Sequence, residues 1–223
     1  MPDKIQAEIL FSHLEYTSIF KRPILETMSP PAKLIAAVLG ALEPAGYKLD
    51  GVEANLQVRK LDEISYVFRR TTPGVPPRSL TLGLGKVVVT ADNLNWTEAD
   101  QFISVHGAAL DVIREVGGAE TQSQQLDVAN HVQIKERSRK DVTAPLVTPS
   151  ALRLLDGEAD FSGVILLREK AMVVIDASIV FANALFVRVV RTYPPEAPLA
   201  ELAETLRKDE ERIFDVLGLE GIL

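Results

Sequence analysis

Leu82 to Gly118, LGLGKVVVTADNLNWTEADQFISVHGAALDVIREVGG, passes from strand to turn to helix, and its reading decides the fold. Lys86 to Thr90 is β-branched and apolar enough for a buried strand, and Ala91-Asp92-Asn93 supplies the turn chemistry that ends it. Thr97 and Asp100 have the spacing of a capping box, in which a hydroxyl and a carboxylate answer the unpaired N–H groups of a first helical turn. Ala99, Phe102, Ile103, His106, Ala109, Leu110, Ile113 and Val116 then recur at three- and four-residue spacing and share one helix face. Gly117-Gly118 stops the helix. Trp96, the sole tryptophan, is expected to anchor the junction.

Upstream, Ile5 to Phe20 reads as an extended segment whose alternation is imperfect around Ile9-Leu10-Phe11. Ser29-Pro30-Pro31 opens a helix with the stripe Leu34, Ile35, Val38, Leu39 and Leu42, which Pro44-Ala45-Gly46 ends. Val52, Ala54, Leu56 and Val58 alternate with Glu53, Asn55, Gln57 and Arg59, which predicts one dry and one wet face. Ile64, Tyr66 and Phe68 continue the alternation, so the two runs form an antiparallel hairpin. The proline-rich loop Thr71 to Arg78 precedes one strand over Leu80 to Thr90.

Downstream, Leu126, Val128, Val132 and Ile134 share a strand side with Asn130, and the other side carries Asp127, Ala129, His131, Gln133, Lys135, Arg137 and Arg139. Arg137 to Ala144 is expected to be an exposed loop, and Thr148-Pro149 to open a short helix stopped at Asp156-Gly157. Three strands fit Phe161 to Leu167, Ala171 to Phe181 and Ala184 to Thr192. They are apolar on both faces for much of their length, so they call for cover on both, from helices and loops or from another subunit. A last helix carries the stripe Leu199, Leu202, Leu206, Ile213, Val216 and Leu217, with its charged outer face turned to water. This order predicts an α+β fold: an extended, mainly antiparallel sheet with amphipathic helices packed on one face. A single domain over residues 1–223 is expected, with a layout that permits two similar β-α-β-β-β-α halves, 1–118 and 119–223.

At the Trp96-centred strand-to-helix junction, the LDVANHVQI strand, and the VVID strand with the acidic final helix, the chain resembles a sporadically distributed bacterial family of uncharacterised α+β proteins. The resemblance is one of order and spacing across most of the chain. That family has an Arg-Tyr-x-Asn-type strand where this chain has Leu126-Asp127-Val128-Ala129-Asn130, so Asn130 is the position that corresponds. The resemblance implies an α+β fold and no established reaction.

A chain of 223 residues with 47% apolar residues can build a substantial core, and with 6% aromatic residues that core is mainly Val, Leu, Ile and Ala. The absence of cysteine excludes disulfides, thiol nucleophiles and thiolate metal sites. No apolar run is long enough for a signal peptide or a membrane span, and a cytoplasmic location is the expectation. A net charge of −7 opposes nonspecific attraction to phosphate backbones and anionic membranes, which disfavours nucleic acid and membrane as partners.

Catalytic patterns are sparse. There is no GxSxG elbow, and His13, His106 and His131 lie far apart without metal-ligand spacing, so no metal or cofactor is expected. His106 on an apolar helix face reads as a hydrogen-bonded core residue. Gly83-Leu84-Gly85-Lys86 lacks both the spacing of a phosphate loop and a helix directly after it, and reads as a strand start or bulge. Asn130, Asp176 and His106 are expected as buried polar groups, Asp176 because Ile175 and Ala177 flank it. The candidate binding surface is His131, Gln133, Lys135, Arg137 and Arg139, joined by Arg59 and Arg69 where the strands align. It would take an acidic group on a protein or small ligand. The expected function is a non-enzymatic binding or interaction module that self-associates through its apolar C-terminal strands. The alternatives are a small-molecule carrier or enzyme with a helix-gripped cavity, and a chaperone-like protein.

Overall fold

The computed structural model describes residues 4–27, 31–70, 74–94, 96–146 and 163–220, with the side chains of Trp96 and Thr97 excepted. The Ser29-Pro30 helix opening, the Thr97 cap, the Trp96 anchor and the Thr148-Pro149 helix lie outside the described residues.

The elements in chain order are β1 (Ile5–Phe20), α1 (Pro31–Leu42), β2 (Val52–Asn55), β3 (Ser65–Arg69), β4 (Arg78–Gly83), β5 (Lys86–Asp92) and α2 (Trp96–Gly117). They continue with β6 (Thr121–Ile134), α3 (Arg139–Thr143), β7 (Val164–Arg168), β8 (Ala171–Ala177), β9 (Ala184–Tyr193), α4 (Leu199–Leu217) and β10 (Leu219–Glu220). The ten strands hydrogen-bond in the order β2-β3-β4-β5-β1-β6-β9-β8-β7, and β10 adds in parallel to β1. This is the α+β fold with an extended antiparallel sheet that the periodicities predict. Contacts divide the chain into two compact units. Unit A is Leu14–Leu126 with Thr192–Glu204, and unit B is Met1–His13, Asp127–Arg191 and Thr205–Leu223.

In unit A, β2 to β5 form an antiparallel meander with Val52 opposite Phe68, Ser65 opposite Gly83 and Leu82 opposite Val87. Tyr66, Phe68, Leu80, Leu82, Val87 and Val89 point inward and are buried, as are Leu34, Val38 and Leu42 of α1 and Phe102, Ala109, Leu110 and Ile113 of α2. The Arg78 guanidinium of β4 lies over the Phe102 ring and pairs with Glu98. Gly118, at φ +63°, takes the left-handed conformation that ends α2. Two expectations are corrected here. Leu80 to Thr90 is two strands, because Leu84-Gly85 reverses the chain and lets Leu82 and Val87 face the same core. The dry face expected of Val52, Ala54, Leu56 and Val58 does not form: the strand stops at Asn55 and sits at the end of the sheet, where Ala54 and Leu56 stay exposed.

In unit B, Ile5, Ala7, Val132, Ile134, Ile175, Leu185 and Val187 of the strands join Phe214 and Leu217 of α4 in one buried cluster. The segment expected to be an exposed loop over Arg137 to Ala144 instead holds α3. Ser138 and Asp141 cap it reciprocally, each side chain bonding the other's backbone N–H, and Val142 of α3 enters the same cluster. The imperfect alternation read in β1 is a change of phase. Odd-numbered Ile5 and Ala7 are buried in unit B and even-numbered Tyr16, Ser18 and Phe20 in unit A.

β6 alternates without interruption, burying Gln124, Leu126, Val128, Asn130, Val132 and Ile134. In unit A the buried Gln124 accepts a 2.6 Å hydrogen bond from the Tyr16 hydroxyl. Its amide nitrogen lies 2.8–2.9 Å from the carbonyl oxygens of Pro194, Pro195 and Ala197, which share its two N–H groups. One side chain thus ties the chain leading into α4 to the sheet. Gln124→Leu leaves a buried hydroxyl and carbonyls without their partner, and is expected to cost about 2–4 kcal/mol in urea denaturation. Tyr16→Phe, which removes one bond and little volume, is expected to cost about 1 kcal/mol.

Candidate functional site

The outer face of β6 in unit B carries the polar residues expected to bind. His131 is half-buried, and its Nδ1 lies 2.8 Å from the Ser178 hydroxyl. Phe11, Phe181 and Phe186 surround the ring at centroid distances of 6.1, 5.3 and 5.3 Å. Ser178 Oγ also accepts the backbone N–H groups of Val180 (3.2 Å) and Phe181 (3.0 Å). With both lone pairs engaged, the hydroxyl gives its own proton to His131 Nδ1, which places the ring proton on Nε2. Burial lowers the His131 pKa, in keeping with a neutral ring that accepts at Nδ1. The pair is therefore a turn-forming contact rather than an activated serine, since a nucleophilic oxygen needs a free lone pair aimed at its substrate.

The other residues disperse. Gln133 donates to the Asn183 carbonyl at 3.3 Å. Lys135 is exposed and pairs with Glu8 at 2.8 Å. Arg137 and Arg139 do not share the His131 face at two-residue spacing: β6 stops at Ile134, Arg137 lies in the following bend, and Arg139 is the first residue of α3. Asn183, at φ +49°, donates from its side chain to the Ile134 carbonyl and closes the end of that strand. Arg59 and Arg69 belong to unit A, where Arg59 donates its backbone N–H to Glu63 and Arg69 pairs with Glu53 at 3.4 Å. Further along the same side of β6, Asp127 receives Arg188 side-on, with the guanidinium Nε 2.9 and 3.1 Å from its two oxygens. Lys135, Arg69 and Arg188 thus each have a carboxylate neighbour.

Of the three expected buried polar groups, two are buried. His106 is fully enclosed in unit A, stacked at 4.1 Å on Phe102. Its Nδ1–H donates to the Phe102 carbonyl at 2.7 Å and its Nε2 accepts the Tyr47 hydroxyl at 2.9 Å. Burial, reinforced by the guanidiniums of Arg78 and Arg70, lowers its pKa to about 4. Asn130 is 2% exposed in unit B. Asp176 corrects the expectation: it is exposed, because it points away from the core that Ile175 enters, and it accepts the Ala177 N–H at 2.7 Å.

The partner of Asn130 is a residue that the reading of α4 as wholly solvated on its charged face passed over. Glu210 is 3% exposed and accepts the Asn130 amide at 2.5 Å. The signal was present: Glu210 stands four residues after Leu206 and four before Phe214, on the apolar stripe of α4. Burial raises its pKa from 4.5 to about 7, against the opposing effect of the Asn130 hydrogen bond. Among the described residues no three His, Asp or Glu side chains converge to hold a metal ion. The space lined by Ala7, Ile9, Val132, Phe214 and Leu219, between α4 and the strands, has no room for a water molecule.

Because the folded pKa of Glu210 lies above its unfolded value, folding holds a proton that the unfolded chain has released. That contribution is present below about pH 4.5 and is lost as pH rises to about 7. Glu210→Gln keeps the acceptor for Asn130 and removes the titration. Its stability relative to the unsubstituted protein is expected to grow by about 3 kcal/mol between pH 4.5 and pH 8 in denaturant titrations.

No protein-family model matches the chain and no curated protein matches it, so what the site can do stands on its own geometry.

Proposed function

We propose that the protein is a non-enzymatic interaction module that works as an assembly of copies of itself, joined through the β7 edge of the sheet. One observation carries this reading. Among the described residues β7 ends the strand order and pairs with β8 alone, yet Ile165, Leu166 and Leu167 are 65%, 56% and 74% exposed. Three consecutive aliphatic residues put apolar surface on both faces of an edge strand, where single-chain proteins place charge, proline or a covering element. Ile179 and Val180, in the turn after β8, are 99% and 66% exposed. The cover that the doubly apolar C-terminal strands call for is thus incomplete at β7, and a second copy supplies it by strand addition. A strand that meets its own symmetry mate about a two-fold axis forms a closed pair, which uses up the edge and ends the growth.

The residues that the binding hypothesis gathered around His131 support a scaffolding role better than recognition of an acidic ligand. His131 and Ser178 shape the turn that carries Ile179 and Val180, and Lys135 and Arg69 already have carboxylate partners.

Light scattering at micromolar concentration is expected to give twice the chain mass, and Ile165→Lys with Leu167→Lys to give the chain mass. Both side chains are exposed, so the substituted protein should keep its circular dichroism and a stability within about 0.5 kcal/mol of the original. A chain mass for the unsubstituted protein, or a doubled mass that survives the substitutions, would overturn the reading.

A further inference from the structure

The outer face of the unit A meander contains a hollow of about 450 Å3, lined by Ile19, Ile64, Ser65, Thr81, Gly83 and Val88 and bordered by Asp62, Glu63 and Lys86. Strand alternation places it there: Tyr66, Leu80, Leu82, Val87 and Val89 are the buried set, so Ser65, Thr81, Gly83 and Val88 face the other way. Its volume falls within the range of roughly 300–1,000 Å3 typical of small-molecule sites.

The opening depends on a glycine that the backbone does not demand. Gly83 sits opposite Ser65, and Thr81 sits opposite Val88, so a side chain at position 83 would stand among the lining residues. The φ of Gly83 lies outside the left-handed region. A Cβ at that position would meet the Ile64 and Lys86 carbonyl oxygens at 3.5 Å, an ordinary contact distance. Any small residue fits the strand, and the missing side chain serves the hollow instead. The Gly83-Leu84-Gly85-Lys86 turn, which makes no phosphate loop, thereby acquires a use.

The border carries charge of both signs. Asp62 and Glu63 bring two carboxylates and Lys86 an ammonium, and the Ser65 and Thr81 hydroxyls and the Ile19, Ile64 and Val88 side chains line the same hollow. Among the described residues neither the Asp62 carboxylate nor the Lys86 ammonium has a hydrogen bond or ion pair. A simple anion would be repelled by the acids, and a purely apolar molecule would strip water from three charges without replacing it.

We propose that this hollow binds a small aliphatic zwitterion, an amino acid with a branched apolar side chain. Its ammonium lies against Asp62 and Glu63, its carboxylate against Lys86, and its side chain on Ile19, Ile64 and Val88.

The test is titration of the full chain with leucine, followed by amide chemical shifts, with 4-methylpentanoate and isoamylamine as analogues lacking one charge each. The expected result is saturable shifts at Ser65, Thr81, Gly83 and Val88, with each analogue at least about tenfold weaker, the loss of one charge-assisted contact. Gly83→Val is expected to keep the thermal midpoint and lose the saturable shifts. Lys86→Gln, at an exposed position, provides a second variant and is expected to weaken leucine about tenfold while leaving isoamylamine unchanged. Absence of saturable leucine shifts at the lining residues, an analogue that binds as well as leucine, or unaltered binding in Lys86→Gln would each overturn the proposal.

Discussion

An amide on the buried face of a sheet must find hydrogen-bond partners away from water, and β6 sets that problem twice, at Gln124 and at Asn130. The strand has no freedom to turn either one outward, because a one-residue slip would expose Leu126, Val128, Val132 and Ile134 together. Each unit supplies its own answer. In unit A, Gln124 is met by Tyr16 and by the carbonyls of the proline-rich segment that runs into α4. In unit B, Asn130 is met by Glu210 from the apolar stripe of α4. Apolar burial holds the helix onto the strands without fixing its position along them. In unit B the Asn130–Glu210 bond adds a directional contact between strand and helix, and in unit A Gln124 does the same for the segment before the helix.

The charged groups tell a complementary story. A run of Lys and Arg on a strand suggests a cationic surface, yet Lys135, Arg69 and Arg188 each meet a nearby carboxylate. The exposed pairs Lys135–Glu8 and Arg69–Glu53 contribute little to stability. What they do is cancel the local field, which removes the long-range attraction a basic patch would exert on an acidic partner. Uncovered apolar surface occurs instead at the β7 edge, and a hollow lies beside Gly83.

Much of this was legible from residue order. The stripe of α2, the β2–β3 hairpin and the two-sided character of β6 follow from periodicity, because a period of 3.6 or 2 reports directly which residues share a face. What periodicity omits is the identity of the covering element. Asp176 looked buried because its sequence neighbours are apolar, but a strand turns alternate residues to opposite sides, and only Ile175 has a core to enter. The tight Leu84-Gly85 reversal hid inside an apolar run that a single strand would also fit. Arg137 and Arg139 continued the two-residue count past Ile134, where capping by Ser138 and Asp141 had already changed the backbone from strand to helix. The role of Glu210 required the stripe of α4 to be read through a charged residue rather than around it.

The isolation of His106 has a consequence for how the chain exchanges protons with water. Folding closes Tyr47, Phe102 and two guanidiniums around a ring that must then stay neutral, so unit A gives up a proton on folding wherever the unfolded ring would carry one, from about pH 6.5 down to about 4. Unit B does the reverse over nearly the same interval, because the enclosed Glu210 takes a proton up. Acid therefore works against unit A and in favour of unit B, with displacements from the ordinary pKa of comparable size. In mildly acidic solution the proton released at one buried group is matched by the proton bound at the other. Taken together, these two groups exchange almost no net proton with the buffer on folding.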